Sequence, residues 1–249
     1  MKVYDILNFL DQKFPINTAC DFDNVGLLVG DREQKVTKAL IALDCTMGAI
    51  ETAAQNGCEL IITHHPVIFN PLKTVLKGSI VHTVIENGLS VISMHTNLDI
   101  SDGGVNDNLC KVLSPLSVET VTASDGYQLK KCVVAPINAD DLANMLEDTL
   151  GGAVKYTDNS KPIENILVCS GSGGNFIGEV NAFGCDALVT ADVKHNQFLD
   201  ADLLGVSLFD AGHFNTEDVV IEPLKALLSG EFSNINFTTY HNNIIKNRS

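Results

Sequence analysis

The chain has few basic residues, no paired-cysteine motif and no long apolar run. Its 249 residues include 16 Lys and Arg against 31 Asp and Glu, which gives a formal charge of −15. Such a negative field repels phosphate backbones and anionic lipid surfaces, so we expect no nucleic-acid partner and no membrane partner. No stretch approaches the roughly 18 consecutive apolar residues that a transmembrane helix needs.

The cysteine pattern argues against a disulfide scaffold and against a thiolate metal site. The seven cysteines are odd in number, widely spaced and mostly set inside apolar runs, which is typical of reduced core residues in a cytosolic protein. Residues 1–14 have the spacing of an amphipathic helix, without the uninterrupted hydrophobic region and cleavage site of a signal peptide. We therefore predict a cytoplasmic protein.

Strand-like and helix-like segments alternate along the first half of the chain. The pattern predicts strands over 38–43, 58–63 and 89–94, and helices over 46–57, 79–88 and 102–113. This alternation is typical of an α/β protein in which helices cover a largely parallel sheet. A later strand over 130–136, a helix over 138–152 and an edge strand over 235–243 complete the prediction.

The second half of the chain repeats the first. GCDALVT (184–190) matches GCELIIT (57–63) at an offset of 127 residues, and GVSLFDAGH (205–213) matches GLSVISMH (88–95) with one residue of gap. We interpret this as an internal duplication, with convergence of short strands as the alternative. It predicts two similar α/β lobes related by a pseudo-dyad within one unit over 1–249. Their bounds are lobe 1 at about 1–114, a connecting segment at 115–160 and lobe 2 at about 161–249.

Candidate metal ligands follow the predicted strands, where the carboxyl ends of parallel strands carry ligand sites. The four segments are ITHHP (62–66), SMHTNLD (93–99), VTADVKH (189–195) and DAGHFNTE (210–217). His213 and Glu217 are four apart and share a face if a helix has begun there, whereas His64 and His65 can diverge because Pro66 ends the strand. Asp99 is a third contributor. Imidazole and carboxylate ligands suit two divalent ions of Zn, Fe, Mn, Co or Ni.

The other histidines have simpler interpretations. A lone histidine at a strand end is usually a hydrogen-bonded loop residue, and His95 and His195 are candidates either for supporting the ligands or for proton transfer. We expect His82 to be structural and His241 to be solvated. GSGGN (171–175) could cradle a phosphate between a strand and a helix, but it lacks the lysine of a Walker loop, so a plain tight turn is favoured.

Several of these motifs together resemble a known family. DNVGLLVG, ITHHP, HTNLD followed by GGVNDNL, TADVKH and GHFNTE occur in the order seen in the GTP cyclohydrolase I type 2 homolog family, also called NIF-three-like proteins, from about residue 5 to 229. The resemblance implies a NIF-three-like fold, a dinuclear metal site between the lobes and a toroidal homohexamer. The implied metal ligands are His64, His65, Asp99, His213 and Glu217, with Glu217 bridging.

This chain departs from the family pattern in three places. Phe22 stands where relatives often have tryptophan, and the chain has no tryptophan at all. The short connection at 115–160 leaves no room for the extra domain that longer relatives insert. Pro223 is expected to kink or delay the final helix, because it lacks an N–H donor and clashes with the carbonyl of Val219.

The resemblance and the ligand set point to a metal-dependent hydrolase. The implied reaction is attack of water on the purine ring of GTP at C8, followed by ring opening and release of formate, so a nucleotide is a possible substrate. The high negative charge of the chain opposes GTP binding, and only Lys73, Lys77, Lys194 or Arg32 could offset it locally. The alternatives are a non-catalytic metal-binding or regulatory ring protein and a metallo-phosphoesterase that acts on a small phosphorylated substrate.

Overall fold

A computed structural model describes residues 1–245. The helices are α1 (Val3–Lys13), α2 (Met47–Asn56), α3 (Ile80–Glu86), α4 (Thr96–Ile100), α5 (Val105–Val112), α6 (Ala139–Leu150), α7 (His195–Leu204), α8 (His213–Glu217) and α9 (Ile221–Glu231). The strands are β1 (Gly26–Val29), β2 (Lys38–Ala42), β3 (Leu60–Thr63), β4 (Ser90–Ser93), β5 (Ser117–Thr122), β6 (Gln128–Ile137), β7 (Lys155–Tyr156), β8 (Ile163–Val168), β9 (Ala187–Thr190), β10 (Ser207–Asp210) and β11 (Asn236–Tyr240). None of the helices in this range is long and apolar enough to span a membrane.

The chain divides into two compact units. The first contains Met1–Ser101 and Ile221–Asn242, and the second contains Asp102–Val220 and the described residues from Asn243 on. Residues 221–242 therefore belong with the first unit, although the sequence grouped them with lobe 2. The reason is backbone pairing, because β11 lies parallel to β2 over five residue pairs.

The first unit is built on a five-stranded sheet with the order β1-β4-β3-β2-β11. All neighbours are parallel except β1, which runs antiparallel to β4. As predicted, β11 lies at an edge, and β3 is buried along its whole length. Helices cover the sheet, and the predicted inward face of α1 is confirmed by five buried side chains: Val3, Ile6, Leu7, Leu10 and Phe14.

The second unit has a six-stranded sheet with the order β5-β6-β8-β9-β10-β7. Only β8, β9 and β10 are parallel, so this sheet is mixed. The sequence pattern did not predict β5, although the alternating residues of SVETVT and the following Asp125–Gly126 step are typical of a hairpin. The segment has few apolar residues, so it was interpreted as part of the connection between the lobes.

The two units share a local architecture. Each contains three consecutive parallel strands, β2-β3-β4 or β8-β9-β10, with an antiparallel strand added beyond the third. Each also has a carboxylate just before its middle strand that accepts two backbone N–H groups: Glu59 from Thr37 and Lys38 at 2.9 Å each, and Asp186 from Glu164 and Asn165 at 3.0 and 2.9 Å. These residues keep the 127-residue offset, as expected for an internal duplication.

Helix capping follows the sequence closely. The Thr46 side chain accepts the N–H of Ala49 at the start of α2, and the Asn138 side chain accepts the N–H of Asp141 at the start of α6. Pro223 lies in the first turn of α9, where a missing donor costs little, and a 3₁₀ turn over Asp218–Val220 precedes that helix. Pro223 therefore lies at the start of α9 and not in its interior.

Candidate metal centre

Three histidines converge in the first unit at the carboxyl ends of neighbouring parallel strands. His64 and His65 follow β3, and their backbone N–H groups bond to the carbonyls of Ala42 and Leu43 at 3.3 and 3.0 Å, while His95 follows β4. One ring nitrogen from each histidine lies within 4.8 Å of the others. The three ring centroids are 4.9 to 5.6 Å apart. We call His64, His65 and His95 the three-histidine cluster.

Each ring in this cluster is held by an oxygen at Nδ1. The Nδ1 atom of His64 lies 2.9 Å from the Met94 carbonyl oxygen, that of His65 lies 2.7 Å from Asp44 Oδ1, and that of His95 lies 2.8 Å from Asp23 Oδ1. A carbonyl or carboxylate oxygen accepts, so Nδ1 carries the proton and Nε2 carries the lone pair of the neutral ring. This is the arrangement that orients metal-binding histidines.

Asp23 is the most strongly held of these acceptors. Its side chain is fully buried and also accepts the backbone N–H of Thr96 at 3.0 Å. Burial by itself raises the pKa of Asp23, but the hydrogen bonds from His95 and Thr96 outweigh it and hold that pKa well below its usual range. Asp23 is therefore a carboxylate at neutral pH and fixes the orientation of His95.

Asp99 supplies a carboxylate next to the cluster. It lies on α4, and its Oδ1 is 3.5 Å from His64 Nε2, with both side chains nearly inaccessible to solvent. The helix is anchored by Asn97, whose amide donates to the carbonyl of Phe14 at 2.8 Å. Burying an imidazole and a carboxylate side by side costs desolvation free energy. Coordination of a metal ion by both groups would offset that cost.

The second unit carries a histidine and carboxylate pair of its own. α8 begins at His213, as the i, i+4 prediction required, and His213 Nε2 lies 3.0 Å from Glu217 Oε2. The Nδ1 atom of His213 lies 2.7 Å from Asp192 Oδ2. Burial lowers the pKa of His213, but the hydrogen bonds with Glu217 and Asp192 outweigh it and raise that pKa to about 9.

The segments that hold these pairs repeat one another. HTNLD (95–99) and HFNTE (213–217) share the pattern His-x-Asn-x-acid, and each follows the third parallel strand of its unit. HFNTE forms the whole of α8, and HTNLD supplies the N-cap and the first four residues of α4. In both, the central asparagine donates to a carbonyl at the end of another helix, Asn97 to Phe14 and Asn215 to Leu150, at 2.8 Å each. The duplication therefore extends from the sheets to the candidate ligands.

Gly171 of GSGGN packs against α8. A Cβ atom on Gly171, whose φ is +59°, would lie 2.0 Å from Glu217 Oε1. The N–H groups of Gly171 and Gly173 donate to the hydroxyls of Thr216 and Thr190 at 3.0 and 2.8 Å, which agrees with the tight-turn interpretation. The segment that follows, Gly174–Glu179, is a 3₁₀ turn rather than the expected α-helix, and two glycines within six residues account for that.

Most of the predicted site residues lie close to others of their own unit. His64, His65, His95 and Asp99 are close together in the first unit, and His213 and Glu217 are paired in the second. His195 is exposed at the start of α7, and no potential metal-binding group among residues 1–245 includes it. His82 lies in α3, as predicted, and His241 Nε2 is 3.2 Å from the exposed Glu222.

The donor set fits a divalent metal. Imidazole nitrogens oriented through Nδ1, together with buried carboxylate oxygens, are ligands that Zn, Fe, Mn, Co and Ni accept. Sequence reasoning missed the three carboxylates that hold the rings, which are Asp23, Asp44 and Asp192. Asp44 and Asp192 lie two residues after the ends of β2 and β9, and a carboxylate at a strand end was the signal available in the sequence.

Comparison with known proteins places the chain among related sequences along its whole length. The family model described as Duf34/NIF3 (NGG1p interacting factor 3) matches residues 1–247. A Clostridium perfringens protein named GTP cyclohydrolase 1 type 2 homolog is 35% identical over 228 residues, which is 87% of each chain. A Helicobacter pylori protein named GTP cyclohydrolase 1 type 2 is 33% identical, with 86% of each chain covered. The crystal structure of a Staphylococcus aureus hypothetical protein has a TM-score of 0.92 at 28% identity, covering 100% of this chain and 99% of that one.

Proposed function

The chain belongs to the Duf34/NIF3 family, and on that premise we propose that it is a divalent-metal-dependent hydrolase with a dinuclear centre. The observation that carries the proposal is the orientation of the histidines. Four of them, His64, His65, His95 and His213, have Nδ1 within 2.9 Å of an oxygen acceptor. In His64, His65 and His95 this contact keeps the proton on Nδ1 and the lone pair on Nε2, and in His213 it fixes the ring whose Nε2 faces Glu217, which is how metal-binding histidines are oriented.

The proposed ligands are His64, His65 and Asp99 from the first unit, with His213 and Glu217 from the second. Their support is the nitrogen and carboxylate donor chemistry, the near-complete burial of His64, Asp99 and Glu217, and the family resemblance. Two ions are proposed because of the family resemblance, and His64 and His65 are each proposed to serve a different ion. Glu217 is the proposed bridging ligand.

Ions held there would supply Lewis acidity and would lower the pKa of bound water, which is the chemistry of hydrolysis at neutral pH. The protein contributes proton transfer and orientation. His95 is the first candidate for proton transfer, because Asp23 holds its Nδ1 proton and leaves Nε2 to accept another. His195, exposed at the N-terminus of α7, is the second candidate.

GTP is the proposed substrate, with ring opening at C8 and release of formate. The Helicobacter pylori relative is named GTP cyclohydrolase 1 type 2, which supports this, and the 35% identical Clostridium perfringens relative is named as a homolog of that enzyme. The opposing factor is charge, since the chain is at −15 before metal binding. Bound divalent ions offset part of that repulsion.

The test is product analysis with protein reconstituted separately with Zn, Mn, Fe, Co and Ni. We expect formate from GTP in at least one metal form, loss of turnover in His95→Ala and unchanged turnover in the control His82→Ala, which alters a helix residue outside the cluster. Phosphate release without formate would identify a phosphoesterase. Stable metal binding with no turnover on GTP or on a panel of small phosphates would contradict the hydrolase proposal and favour a non-catalytic metal-binding protein.

A further inference from the structure

Two phenylalanine rings stand exposed beside the three-histidine cluster. Phe22 is 67% exposed and Phe69 is 43% exposed, and their ring centroids are 6.3 Å apart with planes inclined by 48°. Phe69 in turn meets His95 edge-on, with centroids 6.2 Å apart. The rings therefore form a continuous series that leads from solvent to the imidazoles.

The backbone beneath these rings is firmly anchored. Asp23, the neighbour of Phe22, bonds to His95 and to the backbone of Thr96. Asn24 donates to the carbonyl of Ile68, the neighbour of Phe69, at 2.6 Å. Val67 and Ile68 also pack on the hydrophobic core of the first unit. The two loops are thus tied to each other and to the cluster, and both aromatic side chains project from them into solvent.

Folding alone does not account for this arrangement. An exposed ring gains little from the hydrophobic effect, and single exposed apolar residues are ordinary, but a pair of rings in contact on anchored loops is a preorganised surface. Flat aromatic faces of this kind stack against heterocyclic bases, and such stacking is tolerant of the rest of the ligand.

We propose that Phe22 and Phe69 form the binding surface for a purine base and present it to the three-histidine cluster. This inference rests on the proposed function and deepens it, since it assigns the residues that select a planar heterocycle. The phosphates of a nucleotide need not contact the rings. Guanosine, which is uncharged, is therefore a sufficient probe, and it avoids the repulsion between the acidic chain and a phosphate.

The test measures guanosine binding to the full-length, metal-loaded protein by equilibrium dialysis. We expect binding to the wild type and a dissociation constant raised roughly tenfold or more in Phe22→Ala and Phe69→Ala, because loss of one stacking partner has about that effect. Phe69→Tyr keeps a ring and should retain binding. Ile85→Ala, which alters another exposed apolar side chain of the first unit on α3, is the matched control.

A second readout follows from the absence of tryptophan in the chain. Phe22→Trp introduces a single fluorophore, whose emission guanosine should quench, and Phe69→Ala in that background should weaken the quenching. Ribose 5-phosphate should quench neither variant.

Three results would overturn the assignment. They are no guanosine binding by the wild type, binding by both alanine variants that is as tight as that of the wild type, and a changed oligomeric mass in those variants, since the rings would then be a contact between copies. Metal content measured on the same samples separates these outcomes from failure of the proposed function. A protein that binds metal normally but not guanosine loses only the purine assignment.

Discussion

At the scale of single residues, the candidate centre depends on acceptors that fix histidine rings. Asp44 lies two residues after the end of β2, and its Oδ1 is 2.7 Å from His65 Nδ1, although Asp44 itself is about half exposed. Such a partner sets the tautomer and the ring orientation, and its loss commonly weakens metal binding by about 10–100-fold.

Asp44→Asn should therefore lower metal affinity by roughly one to two orders of magnitude without unfolding the protein. The side-chain amide of the introduced asparagine can turn an N–H toward His65 Nδ1. It then no longer favours the tautomer that carries its proton on Nδ1 and binds metal through Nε2. A competition titration with a chromogenic chelator measures the effect. The exposed Asp21, in the loop before β1, provides the control Asp21→Asn, and equal affinities in the two variants would show that Asp44 does not orient His65.

Gly171 makes a second prediction at this scale. Alanine there would place its Cβ 2.0 Å from Glu217 Oε1 at a positive φ of +59°, so we expect the free energy of unfolding to fall by about 1–3 kcal/mol. The displaced carboxylate should also weaken metal binding. Denaturant titration and elemental analysis report the two effects. Gly178→Ala is the control, because a Cβ there meets open space, and comparable losses in both variants would contradict the account.

Linear spacing singled out the candidate ligands but not the carboxylates that hydrogen-bond to the histidine rings. His64, His65, Asp99, His213 and Glu217 stand at strand ends or at helical spacing, which a linear pattern records. The hydrogen bond between His95 and Asp23 joins residues 72 positions apart, and the one between His213 and Asp192 joins residues 21 positions apart. Such pairs depend on side-chain rotamers and on loop paths, and spacing encodes neither.

At the scale of elements, Glu59 and Asp186 join the start of one strand to the start of the next. Burial raises the pKa of Glu59, but hydrogen bonds from the N–H groups of Thr37 and Lys38 outweigh it and hold that pKa below its ordinary value. A carboxyl whose pKa is lowered on folding stabilises the folded state above the unfolded-state pKa of about 4.3, and the contribution disappears as the pH falls through the folded-state value.

Glu59→Gln should accordingly lower the free energy of unfolding by about 1–2 kcal/mol at pH 7, since charged acceptors make the stronger bonds. The difference from the wild type should shrink as the pH falls below about 4, where the carboxyl becomes protonated. Urea unfolding at a series of pH values measures it. Glu51→Gln, on the exposed face of α2, is the control, and a difference that does not change with pH would refute the charge-based explanation.

Elements with strong local signals were predicted well. The Thr46 and Asn138 caps locate α2 and α6, and the apolar runs locate β2, β3 and β4. The pattern failed where tertiary contacts decide. The five-residue helix α4 is too short to show a hydrophobic period, and its anchoring bond from Asn97 to Phe14 spans 83 positions.

At the scale of the whole molecule, the duplicated units were predictable and the path of the chain's end was not. Repeated segments at a constant offset reveal two copies of one architecture. They do not reveal that β11 pairs with β2, because Asn236 and Lys38 are neighbours only through the folded backbone. A parallel pairing between distant segments leaves no local mark in either one.

We also propose that the chain assembles into a homohexamer, and this assembly has a definite expected mass in solution. Light scattering on the eluting protein should give six times the 26.8 kDa of one chain, and the mass should persist at moderate salt. A particle of one or two chains at micromolar concentration would contradict the ring.

The central claim is that the chain holds two divalent ions through oriented histidines. Elemental analysis of protein purified without chelator tests it most directly, on the wild type, His64→Ala, His213→Ala and the control His82→Ala. We predict two ions per chain in the wild type and in His82→Ala, and a clear loss in the other two variants. A wild type without stoichiometric metal, or full metal content in both His64→Ala and His213→Ala, would contradict the account.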